Sequence, residues 1–307
     1  MTVVERARPA MGSLFRLRLL GDDADHLEAV AETALDEIER IERLLSWRDA
    51  RSEVARINRE ATARPVLVDF ELAAILAQCQ EAEAATDGYL DLAAAARAEL
   101  RETGRLWEFD AERRLIRFTC PGVRLDFGAC GKGYALDCAA AELRRFGITQ
   151  ALLDGGTSSV LAMGADEFGN PWPVGMRNPF AARPDAKTTW PHELGQLRLT
   201  DLALSSSAAL DAGLSHSADH DMLNPRTGEP IADPSAYTVV AAEAATAEVL
   251  STALCAMGSS AAEAYTKERT NDLLAAAVAI VRFDPPQDAD GSPHLTPLLV
   301  RRPGVLV

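Results

Sequence analysis

The sequence predicts an α+β fold of mixed or antiparallel sheets with packed helices. Strand-like and helix-like segments are interleaved without the strict strand–helix–strand rhythm of a parallel sheet. The clearest helices carry apolar residues every three or four positions, whereas the strands alternate or run apolar over short stretches.

Residues 15–20 (FRLRLL) alternate apolar and basic, as a half-buried strand does. Residues 22–45 form the clearest helix: Leu27, Val30, Ala34, Ile38, Ile41 and Leu45 share one face, and acids occupy the other. A second helix is predicted over 69–86, broken by Asp87-Gly88. Residues 113–119 and 123–127 read as a hairpin turned by Cys120-Pro121-Gly122. A glycine-rich loop (Gly128, Gly131, Gly133) then leads into an Ala-rich helix over 134–146, closed by Gly147. A strand follows at 148–153 and ends at Asp154-Gly155-Gly156. Residues 166–194 read as a long excursion between strands, with strand character resuming at 197–204. Thr246 is a suitable N-cap for a helix running to Met257 and stopped by Gly258. A helix over 261–274, a strand over 276–283 and a Pro/Asp/Gly-rich tail complete the chain.

The 307 residues are 48% hydrophobic and 25% charged, which is enough apolar material for a large core and too much for a disordered chain. No apolar run approaches the roughly 20 residues that span a bilayer. A net charge of −15 argues against nucleic acid or anionic lipid as partner, because both call for a Lys/Arg surplus. It also repels anionic ligands, so any phosphate site has to be built locally. The five cysteines are dispersed with no CxxC pair, the usage of reduced thiols. The first residues have no apolar h-region, and a cytoplasmic location is expected, with the mature form of an exported protein as the alternative.

Three constellations carry possible chemistry. Residues 125–137 (LDFGACGKGYALD) place three glycines and Lys132 between a strand and a helix. This arrangement suits a phosphate at a helix N-terminus and equally suits a tight turn; it is neither a Walker A loop nor GxGxxG. His216, Asp219, His220 and Asp221 resemble a metal cluster or a plain polar loop, and Asn224-Pro225-Arg226-Thr227-Gly228 is turn chemistry. Glu248 and Thr252 stand four apart and share a helix face. Their oxygens suit a hard cation such as Mg²⁺, and a glutamate in a first turn also suits the helix dipole.

In this order the segments resemble the ApbE family, the FAD:protein FMN transferases. The resemblance runs from about residue 11 to 283 of a single 1–307 domain, with 284–307 as a C-terminal extension. It is carried by Met11-Gly12-Ser13, by the LSWRDARSE stretch with Arg56-Ile57-Asn58, and by Thr86-Asp87-Gly88-Tyr89-Leu90-Asp91. LDFGACGKGYALD, Asp154-Gly155-Gly156, Asn224-Pro225-Arg226-Thr227-Gly228-Glu229-Pro230 and Leu250-Ser251-Thr252-Ala253-Leu254 complete it.

The resemblance implies a compact α+β, T-fold-related unit. The activity it implies is Mg²⁺-dependent cleavage of FAD, with FMN passed to a Thr or Ser of a partner flavoprotein and AMP released. It implies FAD contacts at Met11, Tyr89, Leu90, Asp91, Asp126, Lys132 and Met222. It implies metal contacts at the Ala129 carbonyl, Glu248, Ser251 and Thr252. His220 and Asp221 are the two candidates for the family's catalytic base, whose position falls on Asp221 with His220 one place before. Glu248 stands where the family has aspartate, which extends the carboxylate by one carbon–carbon bond, about 1.5 Å. Arg48 takes the place of a flavin-contacting tyrosine, and Ser205-Ser206-Ser207 that of Thr-Ser-Gly. Two other activities fit the same residues: flavin binding without transfer, and hydrolysis of FAD to FMN and AMP.

Overall fold

The computed structural model describes residues 1–102, 104–156, 158–180, 193–209, 222–285, 293–302 and 304–305. Strands β1 (Thr2–Ala10) and β2 (Ser13–Gly21) form a hairpin. Its two-residue turn, Met11-Gly12, has φ of 51° and 69°, the doubly positive geometry that matches the twist of paired strands. Helices α1 (Ala24–Leu45) and α2 (Glu53–Glu60) follow, capped by the side chains of Asp23 and Ser52. The chain continues through β3 (Val66–Leu67), α3 (Phe70–Ala85), α4 (Ala94–Leu100), β4 (Trp107–Asp110) and β5 (Leu115–Phe118). Next come α5 (Gly131–Arg145), β6 (Gln150–Gly155), β7 (Ser159–Met163), β8 (Trp172–Arg177), β9 (Glu193–Leu199) and β10 (Leu202–Ala208). The last elements are β11 (Ala236–Ala241), α6 (Ala244–Glu268), α7 (Asp272–Ala275), β12 (Ala277–Asp284) and β13 (His294–Val300).

Eight strands form one sheet in the order β1-β2-β6-β7-β10-β11-β12-β13, with every neighbouring pair antiparallel. Helices α1, α5 and α6 contact one another in turn, and each packs on the strands it crosses. On the other face, the β8–β9 ribbon lays Trp172, Val174, Met176, Leu197 and Leu199 against Leu202, Leu204, Val240 and Val281. The period-two pattern of a strand sorts the two faces in β10 and β11. Ala203, Tyr237 and Val239 join the cores that include helix residues, whereas Leu202, Leu204, Ala236 and Val240 join the ribbon core. A small sheet, β3-β5-β4, stands beside this body. Among the described residues no helix is long and apolar enough to cross a membrane.

The fold is α+β, and several elements differ from expectation. Residues 123–127 form no strand, because their backbone is satisfied elsewhere. Asn58 donates to Leu125 O at 3.1 Å and accepts the Leu125 N–H at 2.9 Å, and the Asp126 N–H reaches Leu92 O. The strand β5 pairs instead with β3 and β4. Helix α5 begins at Gly131, so Gly131, Lys132 and Gly133 are its first turn rather than a loop. Residues 197–204 divide between two sheets, with Asp201 (φ 51°) in the turn. The stretch 166–194 contains β8 and the start of β9.

Helix α6 carries two more differences. Its N-cap is Glu243, not Thr246, and the capping carboxylate comes from α5: Asp137 accepts the N–H groups of Ala244 at 2.8 Å and Ala245 at 2.9 Å. Burial raises the Asp137 carboxyl to about 6 against the pull of those two donors. The predicted stop at Gly258 is a break inside α6, where φ is 75°. Asp233 accepts the Ser259 N–H at 2.7 Å and caps the second segment, which ends at Glu268; α7 is separate and capped by Asn271.

Burial opposes ionisation of Asp233, but donors from Ser259 and Ser235 outweigh it and hold the carboxyl down at about 2. A depressed carboxylate stabilises the fold above its unfolded pKa of about 4 and loses that contribution as pH falls toward 2. Asp233→Ala is therefore expected to cost about 1 kcal/mol at pH 7, read by urea unfolding, with the difference from wild type shrinking from pH 4 downward. A second expectation concerns Gly133. A Cβ there would lie 2.4 Å from the Ala244 carbonyl oxygen, a backbone atom that cannot swing away. Gly133→Ala should destabilise by about 1–3 kcal/mol in the same assay.

Candidate functional site

A cavity of about 440 Å³ lies where the start of α5, the first turns of α6, the end of β10 and two turns converge. The first turn follows α3. Asp87 and Gly88 both have positive φ, and the Thr86 hydroxyl donates to Ala82 O at 2.7 Å while accepting the Leu90 N–H at 3.1 Å. This delivers Tyr89, Leu90 and Asp91 to the cavity wall. The Asp91 carboxylate is nearly inaccessible there. It accepts the Ala93 N–H at 2.8 Å and pairs with Arg97 at 2.8 Å, so its charge is matched inside the wall.

The second turn precedes α5. Asp126 accepts the Gly128 N–H at 2.9 Å, and this local bond sets the path of Gly128 and Ala129, which line the cavity. One helical turn on, Lys132 places its ammonium 2.6 Å from Glu248 Oε1, while the Gly133 N–H donates to Glu248 Oε2 at 2.7 Å. Glu248 is 3% exposed; its carboxylate is satisfied by one ammonium and one backbone donor from the neighbouring helix. Thr252, one turn further along α6, lines the same cavity.

Hydroxyls line the opposite wall. Ser207 Oγ is 2.9 Å from Ser251 Oγ and 3.4 Å from Thr252 Oγ1, and Ser251 Oγ donates to Ser205 at 3.2 Å. On the other face of the sheet, Ser206 and Thr238 exchange a hydrogen bond at 2.7 Å. Lys132 and Arg177 are the two cationic side chains among the described lining residues. They supply local positive charge to a protein whose net charge is −15.

Of the residues singled out from sequence, Tyr89, Leu90, Asp91, Ala129, Lys132, Met222, Glu248 and Thr252 share this cavity. Three stand off it. Met11 is in the β1–β2 turn, its N–H donating to Glu42; Asp126 acts through Gly128; Ser251 is fully buried behind Ser207. His220 and Asp221, with His216 and Asp219, lie outside the described residues. Arg48 stacks on the Trp47 ring at 4.3 Å. Sequence reasoning passed over Arg177, Ser158 and Thr238, which belong to no recognisable pattern; Arg177 ends a strand inside a stretch read as irregular.

The cavity thus collects segments spread along most of the chain, and a model of the ApbE family matches residues 11–277. The chain belongs to the ApbE family. Among relatives, an FAD:protein FMN transferase of Klebsiella pneumoniae (strain 342) is 26% identical over 272 residues, covering 81% of this chain and 80% of its own. A second protein of that name, from Rhodobacter capsulatus, is 30% identical over 149 residues, 47% of this chain and 26% of its own. Flavinyl transferase ApbE of Pseudomonas stutzeri in its apo form superposes with a TM-score of 0.77 at 20% identity, covering 96% of this chain and 94% of that one. The ApbE protein of Thermotoga maritima gives 0.76 at 23% identity, with 92% and 94% covered. At these identities the likeness to the solved ApbE structures is one of fold.

The Lys132–Glu248 contact tests directly. Glu248→Ala leaves a partly buried ammonium and the Gly133 N–H without their acceptor and is expected to cost about 3 kcal/mol in urea unfolding. Glu248→Gln keeps an acceptor for Gly133 and should cost less. Equal losses would mean that the Gly133 hydrogen bond contributes nothing beyond the ion pair.

Proposed function

We propose that this protein is an FAD:protein FMN transferase. It would cleave the FAD pyrophosphate, pass FMN to a Thr or Ser hydroxyl of a partner flavoprotein, and release AMP. The observation that carries the reading is the single cavity into which the family's segments bring Lys132, Glu248, Thr252, Ala129 and the 89–91 turn together. The whole of residues 1–307, with a core of about 11–283, would act as one unit.

The donors in this cavity fit a hard divalent cation such as Mg²⁺. The Glu248 carboxylate, the Thr252 hydroxyl and the Ala129 carbonyl are all oxygens, and all three residues line the same space. Ser251 would hold this wall from behind, through its hydrogen bonds to Ser207 and Ser205. A bound cation supplies charge neutralisation to pyrophosphate oxygens. The protein's own groups do the rest. Lys132 lies at the mouth of the Glu248 carboxylate and can exchange that partner for a phosphate oxygen, with Arg177 adding charge from the ribbon side. Tyr89, Leu90 and Met222 offer apolar surface for a ring, while Asp126 orders the turn that carries Gly128 and Ala129 and Met11 would contact FAD from the β1–β2 turn. His220 or Asp221 would take the proton from the acceptor hydroxyl, which is a weak nucleophile without a base.

The test is incubation with FAD, Mg²⁺ and an acceptor flavoprotein. AMP together with flavin-labelled acceptor is the expected result. AMP without label would replace transfer by hydrolysis, and intact bound FAD would leave a binding protein. In the active system, Thr252→Ala should lower Mg²⁺-dependent turnover at least about tenfold, the scale of a lost oxygen contact to the metal or its ligand. If His220 is the base, His220→Ala slows transfer more than it weakens FAD binding; an unchanged rate assigns the proton to Asp221.

A further inference from the structure

Behind the cavity, two thiols that the proposed reaction does not use come together. Cys79 lies on α3 and Cys130 immediately precedes α5, and their Sγ atoms are 3.7 Å apart across a chain separation of 51 residues. Each residue is 4% exposed, yet both line a second cavity of about 460 Å³, walled also by Ile75, Val249 and Leu273. The two cavities lie on opposite sides of one turn: Ala129 and Lys132 line the first, and Cys130, between them in sequence, lines the second.

We propose that Cys79 and Cys130 are a covalent modification site, closing to a reversible disulfide when a peroxide enters the second cavity. One thiolate attacks a peroxide oxygen, giving a sulfenic acid and hydroxide. The second thiol then attacks that sulfur and releases water. In sum, two thiols and one hydrogen peroxide give one disulfide and two waters. Both thiols are buried, so the reaction needs sustained rather than trace peroxide.

Closure has a direction. The sulfurs must approach from 3.7 Å to about 2 Å. Cys79 is fixed in a sixteen-residue helix with six buried positions, including Leu72, Ile75 and Leu76. Cys130 stands at a turn-to-helix junction, so the displacement falls on the turn that carries Ala129 and Lys132. It loosens the contact of Lys132 and Gly133 with Glu248 and weakens ligand binding in the first cavity. This last step rests on the flavin reading above, whereas the disulfide does not.

The experiment treats the full-length protein with excess hydrogen peroxide, removes it with catalase, and alkylates under denaturing conditions before intact-mass and peptide analysis. The expected product carries two fewer alkyl groups than the reduced control, contains a crosslink between the peptides carrying residues 79 and 130, and takes up both groups when dithiothreitol precedes alkylation. Cys79→Ala and Cys130→Ala each abolish the crosslink. FAD affinity of the oxidised protein, read by flavin fluorescence, falls about tenfold, the equivalent of one charged hydrogen bond, and Cys79→Ala keeps its affinity under peroxide. Recovery of both cysteines as alkyl adducts, or as sulfinic and sulfonic acids, overturns the proposal. A crosslink with unchanged FAD affinity overturns the coupling between the cavities. Reduced protein that binds no FAD overturns the flavin reading and leaves the crosslink result standing.

Discussion

The approach of α5 to α6 at Gly133 is the constraint on which the rest of the structure depends. With no side chain there, the Gly133 backbone comes close enough to the Ala244 peptide that a Cβ would collide with it. Four polar contacts then cross the gap: Gly133 N–H and Lys132 to Glu248, and Asp137 to the Ala244 and Ala245 N–H groups. Each helix satisfies the other's first turn, where backbone donors have no partner of their own. This close crossing puts Lys132, Glu248 and Thr252 on one cavity wall, and α1 and the sheet pack around it.

Much of this arrangement was legible in the sequence where local rules decide the outcome. The apolar stripe of α1 and the Asp87-Gly88 break follow from helical periodicity and from turn chemistry. The misreadings share a physical cause: the backbone was satisfied by something distant. Residues 123–127 look like a strand, but Asn58 supplies the hydrogen bonds that a strand partner would supply. Thr246 looks like a cap, but Asp137 reaches α6 from α5. Gly131 and Gly133 look like a glycine-rich loop before a helix, although Gly133 is small because a neighbouring backbone needs its space. In the site, acids and hydroxyls at helical spacing were readable from Glu248 and Thr252. Arg177 was not, because only the pairing of β8 with β9 brings it into place.

The charge balance looks different beside the cavity. The surface carries an acidic excess, but the two acids among the described lining residues are each matched by a cation, Asp91 by Arg97 and Glu248 by Lys132. An entering anion meets these two negative charges already engaged. The overall −15 then acts mainly at longer range, where salt at physiological strength screens it beyond about 8 Å.

Among the described residues the eight-stranded sheet does not close, so β1 and β13 each leave one side of their backbone without a strand partner. Exposed edges of this kind invite strands from other chains. In β1, Glu5, Arg6 and Arg8 set charge along the edge, and Pro9 removes one donor near its end. In β13, Pro297 interrupts the row of donors beside the irregular register at Ile280 and Val281. Added chain therefore finds no continuous ladder of donors along these edges.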